Sequence, residues 1–249
     1  MHQELLAIAE QAASSAGELL LANYSADAGI NSLAGKDIKT NADIAAHREI
    51  LSFLEPTQIK ILSEESFSTA NPAFDISEPQ WIIDPLDGTL NFSRGFPLAS
   101  VSIAYWEFGK PVLGVLYDLG GKSLWSSHVG FSAAHDREPI HVSSTSAFNQ
   151  AILATGFPTG SSCDQEHLHH LYRRLQAFKK LRMLGCASLM LANVASGRFD
   201  AYEELDIYIW DVAAGLALVS AAGGQYQLKP GKSPVQFHVY ASNKSLMNS

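Results

Sequence analysis

Two aspartates three residues apart, Asp84 and Asp87, follow the apolar run Trp81-Ile82-Ile83 and enter a turn that contains Pro85 and Gly88. At about 4 Å and an effective dielectric near 20, two carboxylates repel by roughly 4 kcal/mol, so a positive group belongs between them. Mg2+ is a hard cation that takes one or two carboxylates together with water and substrate phosphate. Asp84, Asp87 and the carbonyl of Leu86 suit that role. Gly88 lets the backbone pass close to a phosphate, and its N–H, the next N–H and the Thr89 hydroxyl can donate to phosphate oxygens. Pro85 stiffens the turn. Pro, Asp and Gly after a strand also make an ordinary turn, so the rest of the chain has to decide.

Further acids stand at other element boundaries. Ser63-Glu64-Glu65-Ser66 closes the segment Ile59–Leu62. Neighbours on a strand face opposite sides, so one of the two glutamates is expected to reach the site and the other solvent. Trp210-Asp211-Val212-Ala213-Ala214-Gly215 puts an aspartate at a helix start, where it can cap the helix or hold a cation beside the anion-attracting N–H groups. Thr40-Asn41-Ala42-Asp43 has capping-box spacing. Gly185-Cys186-Ala187-Ser188 reads as an anion-binding turn or a small-residue packing contact. Lys36 approaches phosphate or faces solvent, and Glu166, His167, His169 and His170 scatter over a solvated helix.

The elements that must position these residues follow from periodicity. A helix is predicted over Gln3–Tyr24, a polar loop over Ser25–Lys39, and a helix from Thr40 or Asn41 past Leu54. Strands are predicted at Ile59–Leu62, Gln80–Ile83, Ala99–Tyr105, Pro111–Tyr117 and Ser123–Ser126, with a hairpin turn at Glu107-Phe108-Gly109-Lys110. The second half alternates: strand Ala151–Ala154, helix Gln165–Lys179, helix Ala187–Ser196, strand Phe199–Tyr202, helix Asp211–Ala222 ended by Gly223-Gly224, and strands near Tyr226–Leu228 and Phe237–Ala241. Two α/β lobes, 1–141 and 142–249, are expected without a tether.

The 249 residues are 47% hydrophobic, enough for a sizeable core. A formal charge of −8 without a Lys/Arg-rich run argues against nucleic acid or an anionic membrane as partner. Cys163 and Cys186 lack zinc spacing, and no signal-like start or uninterrupted membrane-length apolar stretch is seen. A cytoplasmic setting is the expectation.

Three segments, Ser63-Glu64-Glu65-Ser66, Asp84-Pro85-Leu86-Asp87-Gly88-Thr89-Leu90-Asn91-Phe92 and Trp210–Gly215 ending in Ala222-Gly223-Gly224, together resemble the inositol monophosphatase family. The second and third match its two signature motifs in order and separation, and the resemblance spans nearly the whole chain. It implies a layered αβαβα sugar-phosphatase sandwich, usually dimeric, and lithium-sensitive, Mg2+-dependent hydrolysis of a phosphate monoester. Carried over by position, it implies that Glu65, Asp84 and the Leu86 carbonyl hold one Mg2+, that Asp84, Asp87 and Asp211 hold a second, and that Glu65 helps with a weaker third. Thr89 and Asp43 match the pair that activates the attacking water, which makes Asp43 catalytic as well as a cap. Gly88 and Thr89 would bind phosphate, Gly185, Cys186 and Ala187 would contact the alcohol portion, and Glu204 would accept a substrate hydroxyl. Cys186 stands where the family more often has a hydroxyl residue, and a shortened loop before Asp37 leaves the role of Lys36 open. The expected substrate is a small polyol or sugar monophosphate, first myo-inositol 1-phosphate. The alternatives are fructose bisphosphate, histidinol phosphate or adenosine bisphosphate, or a regulatory protein-binding module that retains the fold.

Overall fold

Leu5, Ala9, Ala12, Ala13, Ala16 and Leu20 recur at helical spacing and form the buried stripe of α1 (His2–Ala22). The computed structural model describes residues 1–22, 30–34, 37–67, 74–157 and 165–248, with backbone alone at 30–34, 37–40, 166 and 167. Lys36 and Cys163 lie outside the described residues. In the stretch expected to be a loop, β1 (Ile30–Ala34) and β2 (Asp37–Thr40) instead form an antiparallel pair. The β-favouring residues Ile30, Leu33, Ile38 and Thr40 suffice for a short ladder within a polar segment.

α1 packs beside α2 (Asn41–Leu54) on one face of a seven-stranded sheet. That sheet runs in chain order through β3 (Lys60–Ser63), β4 (Gln80–Asp87), β5 (Ser100–Glu107), β6 (Lys110–Asp118), β7 (Ser123–His128), β8 (Ser132–His135) and β9 (Glu138–Pro139). Only β3 and β4 pair in parallel. The predicted hairpin joins β5 to β6 through Phe108 and Gly109, at φ 52° and 72°, as a tight primed turn requires. α1 is long and apolar enough to cross a membrane by length and composition, but its stripe faces Val101, Ile103 and Val115 of this sheet.

After α3 (Thr89–Ser93) and the large sheet, the chain builds a second sheet in the order β11-β10-β12-β14-β13. Its strands are β10 (Ile152–Thr155), β11 (Lys180–Arg182), β12 (Ala201–Tyr208), β13 (Gln225–Pro230) and β14 (Gln236–Ser242). The remaining helices are α4 (Gln165–Ala177), α5 (Ala187–Ala195), α6 (Ile209–Ala221) and α7 (Lys244–Met247). β11 takes up residues just past the expected end of α4.

α5 and α6 fill the layer between the two sheets. Phe178 and Leu246 pack with Leu153 and Ala201 of the small sheet in a separate cluster, so the layers read αβαβα. The middle layer is tight. A Cβ at Gly114 of β6 would stand 2.4 Å from the carbonyl oxygen of Ala214 on α6, and one at Gly215 would stand 2.5 Å from Cβ of Leu191 on α5. Glycine at these two positions is what lets α6 lie against both neighbours.

Candidate active site

Asp84 and Asp87 are carried by β4, which extends through both acids with all eight residues buried. The sequence pattern ended this strand at Ile83 because the apolar run stops there. Pairing with β5 continues past it, with a register shift between Asp84 and Asp87. That irregularity turns the two carboxylates into a cavity of about 340 Å3, lined by Glu64, Asp84, Asp87, Thr89, Glu204 and Asp211 among others. Asp84 is 2% exposed and Asp87 8%.

Carboxylate oxygens of Glu64, Asp84 and Asp211 all lie within 4.8 Å of one another. Burial, with Glu64, Asp87 and Asp211 nearby, raises the Asp84 carboxyl well above the ordinary range. Burial, with Asp87, Glu64 and Glu204, does the same to Asp211. Asp211 is not the N-cap of α6. The helix begins at Ile209 after Tyr208, and Asp211 sits in its first turn, where the dipole favours a negative charge.

The structure corrects the choice between the adjacent glutamates. Glu64 enters the acid cluster and lines the cavity, whereas Glu65 does neither. Strand alternation does not extend this far, because after Ser63 the chain coils into a short 3-10 turn, Glu64–Ser66, capped by the Ser63 hydroxyl accepting from the Glu65 N–H at 3.3 Å. The turn directs the first acid inward. The sequence offered both acids, and the local fold selects the other one.

Asp87 is held differently. Its Oδ2 accepts from the Ser188 N–H at 2.8 Å, the Ser188 hydroxyl at 2.5 Å and the Cys186 thiol at 3.2 Å. Burial still raises its carboxyl, and these donors with the Ala187 backbone oppose that shift. The Gly185–Ser188 turn is thus an anion-binding turn whose anion is a side chain of the same protein. Burial and Asp87 push the Cys186 thiol well up, so it acts as a donor. In the sequence Ser188 is no more than the end of that turn; the fold makes it the main donor to Asp87.

On the opposite side Thr89 Oγ1 lies 3.2 Å from Oδ1 of Asp43 and 3.0 Å from the Leu86 carbonyl. Asp43, in the first turn of α2, is 3% exposed. Gly88 has φ 86°, and a Cβ there would stand 2.8 Å from the Leu98 carbonyl oxygen, so the turn admits only glycine. Gly88 and Thr89 line the cavity where α3 opens, and the first N–H groups of a helix have no helical acceptor. The Asn91 amide donates to the carbonyls of Leu98 at 2.9 Å and Leu184 at 2.8 Å. It joins this turn to the segment carrying Gly185, Cys186 and Ala187, all three of which line the cavity.

Glu204 forms the far wall. It stands on β12, which runs six residues beyond its expected end at Tyr202. Its Oε2 accepts from the Tyr202 hydroxyl at 2.8 Å, and burial raises its carboxyl to about 7. Phe157, 41% exposed, and the stacked rings of Tyr208 and Trp210, 4.7 Å apart, complete this side. Nothing in the spacing of Phe157, Tyr202 or Tyr208 marks them as site residues; the fold brings them there.

No Lys, Arg or His is among the described residues lining the cavity. Five acids face one space with hard oxygen donors, and none of the described residues lining it places a cation between them. That set fits Mg2+ and does not suit a thiolate- or imidazole-seeking metal.

A sequence model described as "Inositol monophosphatase family" matches residues 1–248. The chain is 35% identical over 231 residues to "Inositol monophosphatase 2" of Solanum lycopersicum, covering 89% of this chain and 86% of that protein. It is 34% identical over 225 residues to "Nus factor SuhB" of Escherichia coli K12, covering 88% and 83%. The crystal structure of the extragenic suppressor protein SuhB of Bartonella henselae matches with a TM-score of 0.85 at 32% identity, over 98% of this chain and 95% of that one. The inositol monophosphatase of Anabaena matches at 0.82 and 32%, over 98% and 92%.

Proposed function

Because the chain belongs to the inositol monophosphatase family, and so is a phosphoric monoester hydrolase, we propose that it hydrolyses a small polyol or sugar monophosphate with Mg2+, myo-inositol 1-phosphate first among them. The observation that carries the reading is one cavity lined by the Glu64–Asp84–Asp211 cluster and by Thr89, whose hydroxyl is hydrogen-bonded to Asp43 behind it.

Glu64, Asp84, the Leu86 carbonyl, Asp87 and Asp211 are the groups that would hold two Mg2+ ions, with a weaker third. Bound there, Mg2+ supplies the positive charge that admits a phosphate dianion to an acidic cavity and the Lewis acidity for its hydrolysis. The chain's own groups do the rest. Asp43 accepts the Thr89 hydroxyl proton, which leaves the Thr89 oxygen lone pairs to accept from a water and to aim it at phosphorus. Gly88 and Thr89 offer N–H groups to the phosphate oxygens. Glu204, whose Oε2 is held by Tyr202, keeps Oε1 for a substrate hydroxyl. Phe157, Tyr208 and Trp210 give the alcohol half an apolar wall. The reading extends to lithium inhibition, a homodimer and a cytosolic setting, as the family resemblance implies.

A phosphate-release panel of small monoesters and bisphosphates, with and without Mg2+ and Li+, tests this. Mg2+-dependent turnover of a polyol monophosphate is expected. Absence of metal-dependent hydrolysis across the panel sinks the reading, and preferred turnover of fructose bisphosphate, histidinol phosphate or adenosine bisphosphate replaces the substrate.

A further inference from the structure

We infer that Ser188, oriented by Ser100, restricts Asp87 to a single metal-facing oxygen and thereby makes the site favour Mg2+ over Ca2+. The inference rests on the reading of Asp87 as a metal ligand given above.

Three donors converge on one atom. Oδ2 of Asp87 receives the Ser188 N–H, the Ser188 hydroxyl and the Cys186 thiol, whereas a carboxylate oxygen offers two lone pairs. Ser188 fills both with its N–H and its hydroxyl, the Cys186 thiol, which also lies 3.4 Å from Ser188 Oγ, being the weaker third donor, so Oδ2 is saturated through Ser188 and Oδ1 is the oxygen left for a cation. The order of protons is fixed by chemistry. An ionised carboxylate only accepts, so the Ser188 hydroxyl proton is committed to Asp87. Ser100 Oγ, 2.6 Å from Ser188 Oγ, must then donate to it. Ser100 sits directly across from Asp87 in the β4–β5 ladder, and both serines are fully buried. The carboxylate is thus tied to its own sheet through Ser100 and to α5 through the Ser188 N–H, and rotation about its Cβ–Cγ bond would break these bonds without water to replace them.

This restraint discriminates between cations. Mg2+ needs near-octahedral coordination by oxygens at short, fixed distances, while Ca2+ accepts more ligands and commonly takes a carboxylate through both oxygens. An Asp87 that presents one oxygen serves the first ion and denies the second its bidentate partner. Groups that orient a metal's ligands typically change affinity by about 10–100-fold when removed.

The test is calorimetric titration of the full chain with MgCl2 and with CaCl2, without substrate, for the native protein, Ser188→Ala and Ser100→Ala. Native protein is expected to bind Mg2+ more tightly than Ca2+. Ser188→Ala is expected to weaken Mg2+ binding about 10–100-fold while Ca2+ binding holds or strengthens. Ser100→Ala, which leaves every direct bond to Asp87 in place, should shift the ratio the same way by less. It also supplies the answer if Ser188→Ala does not fold. A Mg2+/Ca2+ ratio unchanged in the variants, or both affinities falling together, overturns the inference while leaving the metal site intact. Native protein that binds neither ion overturns both.

Discussion

Glu203 and Glu204 are neighbours on β12, both buried, and their surroundings are opposite. Glu203 faces α4, where Arg174 donates to both of its oxygens, at 2.5 and 2.6 Å, and His170 lies 3.2 Å away. Glu204 faces the cavity, where Tyr202 gives it one hydrogen bond and no cation among the described lining residues accompanies it. Its carboxyl rises to about 7 through burial, with Asp87 adding to the shift. The fold supplies a counter-charge where an acid helps hold elements together. Where substrate and metal are expected to supply it, none of the described residues does. Asp84 and Asp211 belong to the second kind.

The contrast breaks most visibly at the uncompensated end. Asp84→Asn or Asp211→Asn should lower kcat/KM by about a thousandfold or more by removing a charge the metals need, while the metal-free protein melts higher because a desolvated acid is gone. Near-native turnover in both variants would remove these acids from the chemistry. Glu204→Gln is expected to cost roughly tenfold in kcat/KM on a polyol phosphate, the worth of a hydrogen bond to a charged group. Turnover of 4-nitrophenyl phosphate, which has no hydroxyl to offer, should stay unchanged, and equal losses on both substrates would refute the hydroxyl contact.

The melting temperature of metal-free protein sharpens the comparison further. Asp84, Asp87, Asp211 and Glu204 all have raised carboxyls, so the folded chain holds more protons than the unfolded one once pH passes the unfolded values. Stability is then full below about 4.5 and is lost as pH rises through about 7 for Glu204. Melting should fall between pH 5.5 and 7.5 in EDTA, and Mg2+ should abolish the fall at the upper pH. A flat or rising profile in EDTA contradicts the account. On the compensated face, Arg174→Ala should cost about 1–2 kcal/mol of stability by removing the two guanidinium bonds to Glu203 and leaving only His170 beside it, and leave kcat nearly unchanged. A kinetic loss larger than the stability loss would show that the two faces are coupled.

Much of this was legible in the sequence wherever apolar spacing was regular. α1, α2 and the hairpin through Phe108-Gly109 follow from it, whereas the grouping of Asp84 and Asp87 with Asp211 rests on the resemblance of their motifs to one family. The acids themselves hid the rest. β4 and β12 continue through Asp84–Asp87 and Glu203–Tyr208, where a strand pattern based on apolar runs must stop, so Glu204 was read without its strand or its Tyr202 partner. Alternation leaves Glu64 and Glu65 undecided, and the family resemblance carried onto Glu65 falls one position off, because nothing in the sequence shows that the chain coils into a turn directly after Ser63. Ser188 gave no signal of its own, since a serine in a small-residue helix declares a ligand-orienting role only when Asp87, 101 positions away, is brought beside it.

α6 carries Asp211 in its first turn and then runs between the two sheets with backbone-close contact at Gly114 and Gly215. Its rotation about its own axis is therefore set by atoms well outside the cavity, much as a key's bit is aimed by the shaft. A methyl group added at Gly114 would meet the Ala214 carbonyl oxygen and turn or lift that shaft. Variation deep in the hydrophobic interior would then be read out at the cavity mouth as a displaced Asp211 carboxylate as well as in stability.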